Sequence, residues 1–185
     1  LQRATRRLKF DEFFFLELRV LLNRDTTLLG KQFRVKQKDL EAFESSLPFK
    51  MTNAQKRALR EIFEDMGNPR QMARLLQGDV GSGKTAVAAA AIYVAVKNGY
   101  QAAMMAPTEI LARQHFLNRK QYLLPLGVTS ELLMATMSSR ERQEARAKVA
   151  KGQAHLAIGT HALIQEGVEF QNLGLAVIDE EHRFG

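Results

Sequence analysis

The chain has 185 residues, 45% of them hydrophobic and 25% charged, which is ordinary for a globular protein with one sizeable core. It contains no cysteine, which excludes disulfides, thiolate metal sites and cysteine nucleophiles, and its 4 histidines are too scattered to predict structural zinc. The longest strongly apolar run, 86–96, is too short to span a bilayer. The chain begins without Met or an apolar leader. We therefore expect part of a longer, soluble protein of a reducing compartment, that is, a cytoplasmic one, with no membrane partner.

The formal net charge of +7 is concentrated in the first third of the chain. Residues 1–60 contain 14 Lys and Arg against 7 Asp and Glu, whereas residues 61–185 contain 13 of each class. A basic segment favours a polyanion such as nucleic acid as the partner. A solvated surface, or a tail packed on an acidic neighbour, explains the same charge equally well.

The first part of the chain is predicted to be helical. Residues 1–24 lack Gly and Pro and carry apolar side chains at helical spacing. The phenylalanines in this stretch are expected to pack in a core rather than to stack on bases. A second short helix is predicted over 39–46, ended by Leu47-Pro48, and a third begins after the capping residue Thr52 and stops before Gly67-Asn68-Pro69.

Farther along, short apolar stretches alternate with longer helical ones. The predicted strands are 73–77, 101–106, 128–134, 155–158 and 173–178. The predicted helices are 84–97, 109–121, 138–150 and a short one at 162–165. This alternation is typical of an α/β fold in which right-handed crossovers build a parallel sheet flanked by helices. We expect an N-terminal helical segment over 1–47 and a single α/β domain over 48–185.

A phosphate-binding loop is predicted between the first of these strands and the helix after it. The sequence GDVGSGKT matches the pattern G-x-x-x-x-G-K-[ST], and a Gly-rich turn without function is a weak alternative here. The backbone N–H groups and the helix start would face phosphate oxygens. Lys84 would reach the β and γ phosphates, and Thr85 would bind Mg²⁺. The candidate residues are Gly78, Asp79, Val80, Gly81, Ser82, Gly83, Lys84 and Thr85.

A pair of carboxylates follows the last predicted strand. The apolar run LGLAVI ends at Asp179-Glu180, which places both residues at the carboxyl edge of the sheet, beside the phosphate loop. Asp179 would hold Mg²⁺ through water, and Glu180 would orient or deprotonate an attacking water. Acidic residues that merely cap a helix after the strand are the plain alternative.

Together with the loop, the sequence Asp179-Glu180-Glu181-His182 resembles the DExH box in the first, RecA-like motor domain of superfamily-2 helicases. Residues 49–55, FKMTNAQ, resemble the Q motif of these helicases, and 106–115 and 158–163 resemble motifs Ia and Ic. The resemblance implies ATP and Mg²⁺ as cofactors, with Lys84, Asp179, Glu180 and His182 as catalytic residues. It also implies that Phe49 and Gln55 bind the adenine and that the DNA backbone is contacted by Pro107, Thr108, Glu109, Thr160 and His161.

The exact residues of several motifs resemble those of the RecG family of branch-migrating DNA helicases. LPFK at 47–50, GDVGSGKT, MAPTE at 105–109 and EEHRFG at 180–185 carry this similarity. The translocase module of the transcription-repair coupling factor shares part of it. The resemblance implies an ATP-dependent double-stranded DNA translocase that remodels stalled forks and Holliday junctions. It also implies a second motor lobe and a wedge domain as partners beyond this sequence.

The isolated chain is expected to be nearly inactive, because the second lobe of such motors supplies an arginine finger. One departure from the family pattern is visible: Met134-Ala135-Thr136 replaces a Thr-Gly pair, so a backbone contact to DNA is in doubt there. Two other classes of function stay open, namely a P-loop ATPase or kinase unrelated to nucleic acid and a catalytically silent binding module.

Overall fold

The computed structural model describes residues 29–164 and 168–179. The helix predicted over 1–24 and the residues Glu180, Glu181 and His182 lie outside this part of the chain. Within it, no helix is long and apolar enough to cross a membrane.

In the described part of the chain, two helices precede the phosphate loop. Helix α1 spans Gln37–Ser46, and helix α2 spans Asn53–Gly67. The predicted cap of α2 is confirmed: Thr52 Oγ1 accepts from the backbone N–H of Gln55, and the Gln55 side chain accepts from the N–H of Thr52. This reciprocal pair satisfies two N–H groups that a helix start would otherwise leave without partners. The buried face of α2 consists of Leu59, Ile62, Phe63 and Met66.

Within residues 29–164 and 168–179, four parallel strands form the sheet. In chain order they are β1 (Gln101–Met105), β2 (Ser130–Leu133), β3 (Leu156–Gly159) and β4 (Leu173–Ile178). Their order across the sheet is β2-β3-β1-β4. The parallel pairing is possible because helices carry the chain back between strands.

Among the described elements, three further helices flank the sheet: α3 (Lys84–Lys97), α4 (Glu109–Tyr122) and α5 (Ser139–Ala150). Helix α4 connects β1 to β2, and α5 connects β2 to β3. The short helix predicted at 162–165 is a single 3-10 turn at His161–Leu163, and a second such turn spans Leu124–Leu126. The predicted fold class, a parallel sheet flanked by helices, is confirmed.

Helix α3 is the centre of the core. It is apolar all round, as expected of a helix enclosed on every side. Its small side chains let the neighbouring sheet and helices α1 and α2 approach closely. The buried members of α3 are Ala86, Val87, Ala89, Ala90, Ala91, Ile92, Tyr93, Val94 and Ala95. The helix ends at Asn98, followed by Gly99 with φ +80°.

The segment before residue 48 shares this core. Phe43 of α1 is 1% exposed and stacks on Tyr93 of α3 with ring centroids 6.1 Å apart. Phe33 meets Tyr100 edge to face at 5.1 Å. The described residues up to 47 therefore pack directly on the α/β unit, and the domain boundary between 47 and 48 stays a prediction.

The strand predicted over 73–77 is wrong. These residues are irregular, and they join no ladder with the described strands. An extended segment becomes a strand only when a neighbour accepts its N–H groups. Leu75 is 66% exposed, and only Leu76 packs against the core. The nearest pairing is an isolated antiparallel bridge between Leu29 and Arg70.

Candidate nucleotide and nucleic-acid site

The phosphate loop enters α3 through two glycines in a left-handed conformation. Gly81 has φ +82° and Gly83 has φ +83°, values that side chains with a Cβ adopt only at a cost. A Cβ at Gly83 would also collide with the Gln55 side-chain amide. Val80, at the tip of the loop, is fully exposed. The loop therefore leaves its backbone open to a ligand at the start of α3.

The Lys84 ammonium lies within the mouth of its own loop. Its Nζ donates to the carbonyl oxygens of Gly78 and of Asp79, the latter at 2.9 Å. A cation held by carbonyl oxygens at a helix start is placed to exchange these partners for the more strongly binding oxygens of a phosphate. The donor set thus fits a polyphosphate.

Gln55 joins α2 to the phosphate loop. Its Oε1 accepts from the N–H of Thr52 at 2.8 Å, and its Nε2 donates to the carbonyl of Ser82 at 2.8 Å. The amide that the sequence assigns to adenine recognition is thus anchored beside the loop on both of its polar atoms. Its contact with adenine stays a prediction.

Phe49 lies at the rim of a surface pocket near the start of α2. Its ring is 39% exposed and meets Tyr122 of α4 edge to face, with centroids 6.3 Å apart. The pocket is also lined by Lys50 and by Lys56, which forms an ion pair with Glu44 at 3.3 Å. A partly exposed aromatic ring beside Lys50 suits a base and its negatively charged tail, while Glu44 neutralises Lys56.

Asp179 lies at the carboxyl end of β4. Its backbone N–H donates to the carbonyl of Met105 at 2.9 Å, extending the β1–β4 ladder by one residue. Its Oδ2 lies 2.7 Å from Nε2 of His115 on α4. His115 in turn lines the same small cavity as Thr85. His115 therefore contacts Asp179 directly and shares a cavity lining with Thr85.

The donor set of this edge fits a weakly held Mg²⁺. Among residues 29–164 and 168–179 there is no cluster of three or more His, Cys, Asp or Glu that could enclose an ion. Mg²⁺ usually binds through one or two protein oxygens together with phosphates and water. The Thr85 hydroxyl and the Asp179 carboxylate meet that requirement without a dedicated cage.

The sequence motifs predict no contact for His115, although this residue ends the helicase-like stretch 106–115. No signal in the sequence pairs it with Asp179, which lies 64 residues farther along the chain. Contact between α4 and the end of β4 arises from three-dimensional packing, which no spacing within the sequence reveals.

Three loops meet at the carboxyl edge of the sheet. Pro107 and Thr108 follow β1, Thr136 follows β2 and Thr160 with His161 follows β3. Thr108 Oγ1 caps α4 by accepting from the N–H of Leu111 at 3.3 Å. The predicted contacts of these residues with DNA stay predictions, but the fold places their loops on a common edge.

Glu109 does not extend freely from this edge. Its carboxylate accepts from the backbone N–H of Thr136 at 3.1 Å and from the Thr136 hydroxyl. These bonds, with the hydroxyl bond as the largest contribution, lower the pKa of Glu109. Glu109 therefore links the loop after β1 to the loop after β2.

The loop that departs from the helicase pattern is held on its other side as well. Arg142 of α5 donates to the carbonyl oxygens of Ala135 and of Met137, the latter at 3.0 Å. Met134 is 2% exposed and fixes the start of the loop in the core. The sequence Met134-Ala135-Thr136 thus presents Thr136 toward Glu109.

Comparison with known proteins defines the class of protein first. A family model described as DEAD/DEAH box helicase matches residues 52–185. This match covers the phosphate loop, the sheet and all three loops at its carboxyl edge. The chain belongs to the DEAD/DEAH box helicase family.

The similarity is strong to one branch of that family. The chain is 49% identical to the ATP-dependent DNA helicase RecG of Synechocystis sp. over 100% of its length and 23% of that protein. It is 48% identical to RecG of Streptococcus pneumoniae over 100% of its length and 28% of that protein. The resemblance to RecG helicases is confirmed.

A solved structure of RecG bound to a three-way DNA junction superimposes with a TM-score of 0.84 at 44% identity. The superposition covers 100% of this chain and 26% of that one. The chain therefore spans about a quarter of the length of the RecG proteins that it matches.

Proposed function

We propose that the chain is the nucleotide-binding part of an ATP-dependent motor that translocates on double-stranded DNA and remodels branches such as stalled forks and Holliday junctions. The observation that carries this proposal is the phosphate loop at the start of α3, where Lys84 Nζ is held by backbone carbonyl oxygens that a phosphate can replace. Asp179 supports it, because this carboxylate follows β4 and is bonded to His115 of α4, the helix that follows the loop after β1. The match to RecG and its junction-bound structure supports branched DNA as the substrate.

In this proposal ATP binds across the start of α3. Lys84 exchanges the carbonyls of Gly78 and Asp79 for the β and γ phosphates, and the N–H groups of residues 79–85 donate to the remaining oxygens. Thr85 and Asp179 would hold Mg²⁺, which neutralises charge on the phosphates when it is bound. Phe49 and Gln55 would take the adenine. Glu180 and His182 complete the proposed catalytic set.

DNA would bind along the carboxyl edge of the sheet. The hydroxyls and backbone N–H groups of Thr108 and Thr160 suit phosphate oxygens, which give position on the duplex without reading its sequence. Those of Thr136 are already donated to Glu109. A carboxylate facing DNA would repel it, so we assign Glu109 a bracing role between two of these loops. A second motor lobe and a wedge domain elsewhere in the natural protein are the proposed partners.

The proposal is tested with the natural full-length protein and its Lys84→Ala variant. We expect hydrolysis of ATP to be stimulated more by a three-way junction than by linear duplex of equal length. Lys84→Ala should lower turnover by at least about 100-fold, because a charged donor to the transferred phosphate is lost. Junction binding should be largely unchanged, since phosphate contacts of the DNA lie on the other loops.

The two alternative functions give different results. ATP hydrolysis that is indifferent to any DNA would indicate a P-loop ATPase unrelated to nucleic acid. Failure of a fluorescent ATP analogue to bind with or without Mg²⁺ would indicate a silent binding module. Loss of junction binding in Lys84→Ala would mean that the DNA contacts are misplaced in this proposal.

A further inference from the structure

His115 of α4 makes a hydrogen bond to Asp179 that does not belong to the backbone pairing of the helix or the sheet. Its Nε2 lies 2.7 Å from Asp179 Oδ2, at the short end of the range for N–H···O bonds. An ionised carboxylate can only accept, so Nε2 carries the hydrogen of this bond. Hydrogen bonds to a charged acceptor are shorter and stronger than neutral ones. The bond therefore holds the Asp179 side chain firmly.

The rest of the imidazole has no other polar function in the described part of the chain. The His115 side chain is 9% exposed, and its Nδ1 is buried without a hydrogen-bond partner among residues 29–164 and 168–179. Burying a polar ring with one nitrogen unsatisfied is unfavourable. An apolar side chain would fill the same space at lower cost. The bond to Asp179 is thus the one polar interaction that accounts for a histidine here.

The bond engages only one oxygen of the carboxylate. Asp179 is 30% exposed, so its second oxygen, Oδ1, can face a ligand while Oδ2 is held. Residues that orient a metal-binding carboxylate from behind typically contribute a factor of about 10 to 100 in metal affinity or activity. His115 has the location that such a role requires, because it bonds Asp179 from α4 and also lines the small cavity to which Thr85 contributes.

His115 also connects this carboxylate to the DNA side of the molecule. Helix α4 begins at Glu109, directly after the loop that follows β1, and its N-terminus is capped by Thr108. His115 lies six residues farther on, about 9 Å along the helix axis. A helix is stiff over this length, so a shift of its capped end moves His115 with it.

We propose that His115 is a positioning residue for Asp179: it fixes the orientation in which this carboxylate meets the Mg²⁺ of a bound nucleotide and ties that orientation to α4. The inference rests on the proposed function, since it requires Asp179 to meet Mg²⁺. His115 itself contacts neither the nucleotide nor the ion.

The test measures the affinity of the natural full-length protein for a fluorescent ATP analogue, in Mg²⁺ and in EDTA. His115→Ala should weaken binding in Mg²⁺ by about 10-fold or more and leave binding in EDTA unchanged. His115→Gln should recover most of the loss, because its Nε2 can reach the place of the imidazole Nε2. His115→Asn, whose amide is too short, should not.

Two controls separate positioning from packing. In an Asp179→Asn background, His115→Ala should cause no further loss, because the two residues act as one unit. His155→Ala removes a histidine that bonds Thr129 at the opposite edge of the sheet, and it should not change the dependence on Mg²⁺.

Three results would overturn the assignment. These are an equal loss for His115→Ala in Mg²⁺ and in EDTA, no loss in either, and additive losses in the double variant. Absence of Mg²⁺-dependent binding by the unmodified protein would instead refute the proposed function, so the two failures can be told apart.

Discussion

The phosphate loop and the loop after β2 lie at the same edge of the sheet but are held in opposite ways. In the phosphate loop, Lys84 occupies carbonyl oxygens of its own backbone, which a ligand can replace. The loop at 134–138 is held by hydrogen bonds within the protein: Glu109 accepts from Thr136, and Arg142 donates to the carbonyl of Met137. The first arrangement lets Lys84 change its hydrogen-bond partners when a phosphate binds. The second keeps the loop after β2 in one conformation.

The largest effect is expected from a substitution in the phosphate loop. Gly83→Ala forces a side chain into a conformation with φ +83° and into the Gln55 amide, so it should disorganise the phosphate loop. The backbone strain alone is about 1–2 kcal/mol. We expect affinity for a fluorescent ATP analogue to fall by about tenfold or more.

Gly99→Ala is the matched control for this change. Gly99 has φ +80° at the other end of α3, where an added Cβ meets no atom within 4 Å. The control carries the same strain without the collision, so it should lower the melting temperature and spare nucleotide affinity. An equal loss of affinity in both variants would show that the loop responds only to the stability of α3.

A smaller effect is expected from substitutions of Glu109, which holds the loop after β2. The test is whether they weaken or strengthen binding to DNA. Glu109→Ala removes the brace to Thr136 and should weaken binding to a three-way junction by a few-fold, as the loop after β2 loosens. Glu109→Gln keeps an acceptor for Thr136 and should bind nearly as well as the unmodified protein.

The opposite reading of Glu109 makes a different prediction. If this carboxylate acted only as a negative charge beside DNA, both substitutions would strengthen binding, most visibly at low salt. Measuring the junction affinity of the two variants at several salt concentrations therefore shows whether Glu109 acts by holding the loop after β2 or by its negative charge.

The smallest effect concerns pH. Hydrogen bonds from Thr136 lower the pKa of Glu109 from its ordinary value of 4.5. Because a lowered acid pKa means that the ionised form is favoured in the fold, the brace is intact above about pH 4.5 and is lost as the pH falls through the lowered pKa. Thr136→Val keeps the backbone N–H but removes the hydroxyl, so it should raise the pKa of Glu109 toward 4.5. An NMR titration of this carboxyl group measures the shift, and an unchanged midpoint would remove Thr136 as its cause.

The sequence predicted most of the fold because local signals agreed with the packing. Thr52 caps its helix as predicted, and Ser138, the predicted first residue of its helix, caps that helix through the same reciprocal arrangement. The apolar runs at 101–106 and 173–178 become strands because neighbours on the sheet satisfy their backbones. The stretch 73–77 has a similar composition but no ladder partner in the described part of the chain, and composition carries no information about partners.

The sequence motifs predict the candidate residues of the site, but not the hydrogen bonds between residues that are distant in the sequence. The glycines and Lys84 follow a spacing that phosphate chemistry imposes, so the sequence alone locates them. The bonds from His115 to Asp179 and from Glu109 to Thr136 join residues 64 and 27 positions apart. Such pairs depend on how α4 lies against the sheet. The expected contacts of Glu180 and His182 lie outside the described residues and stay predictions.

Strand β4 has a practical consequence for work with this stretch of sequence alone. Within the described residues it pairs only with β1, and Leu173 and Ile178 are 40% and 48% exposed. No described residue pairs with its outward side, which would offer backbone donors and acceptors to an extended peptide, including another copy of itself. Samples would therefore be expected to self-associate at high concentration, and a lysine at the exposed position Ala176 would be a rational way to keep them dispersed.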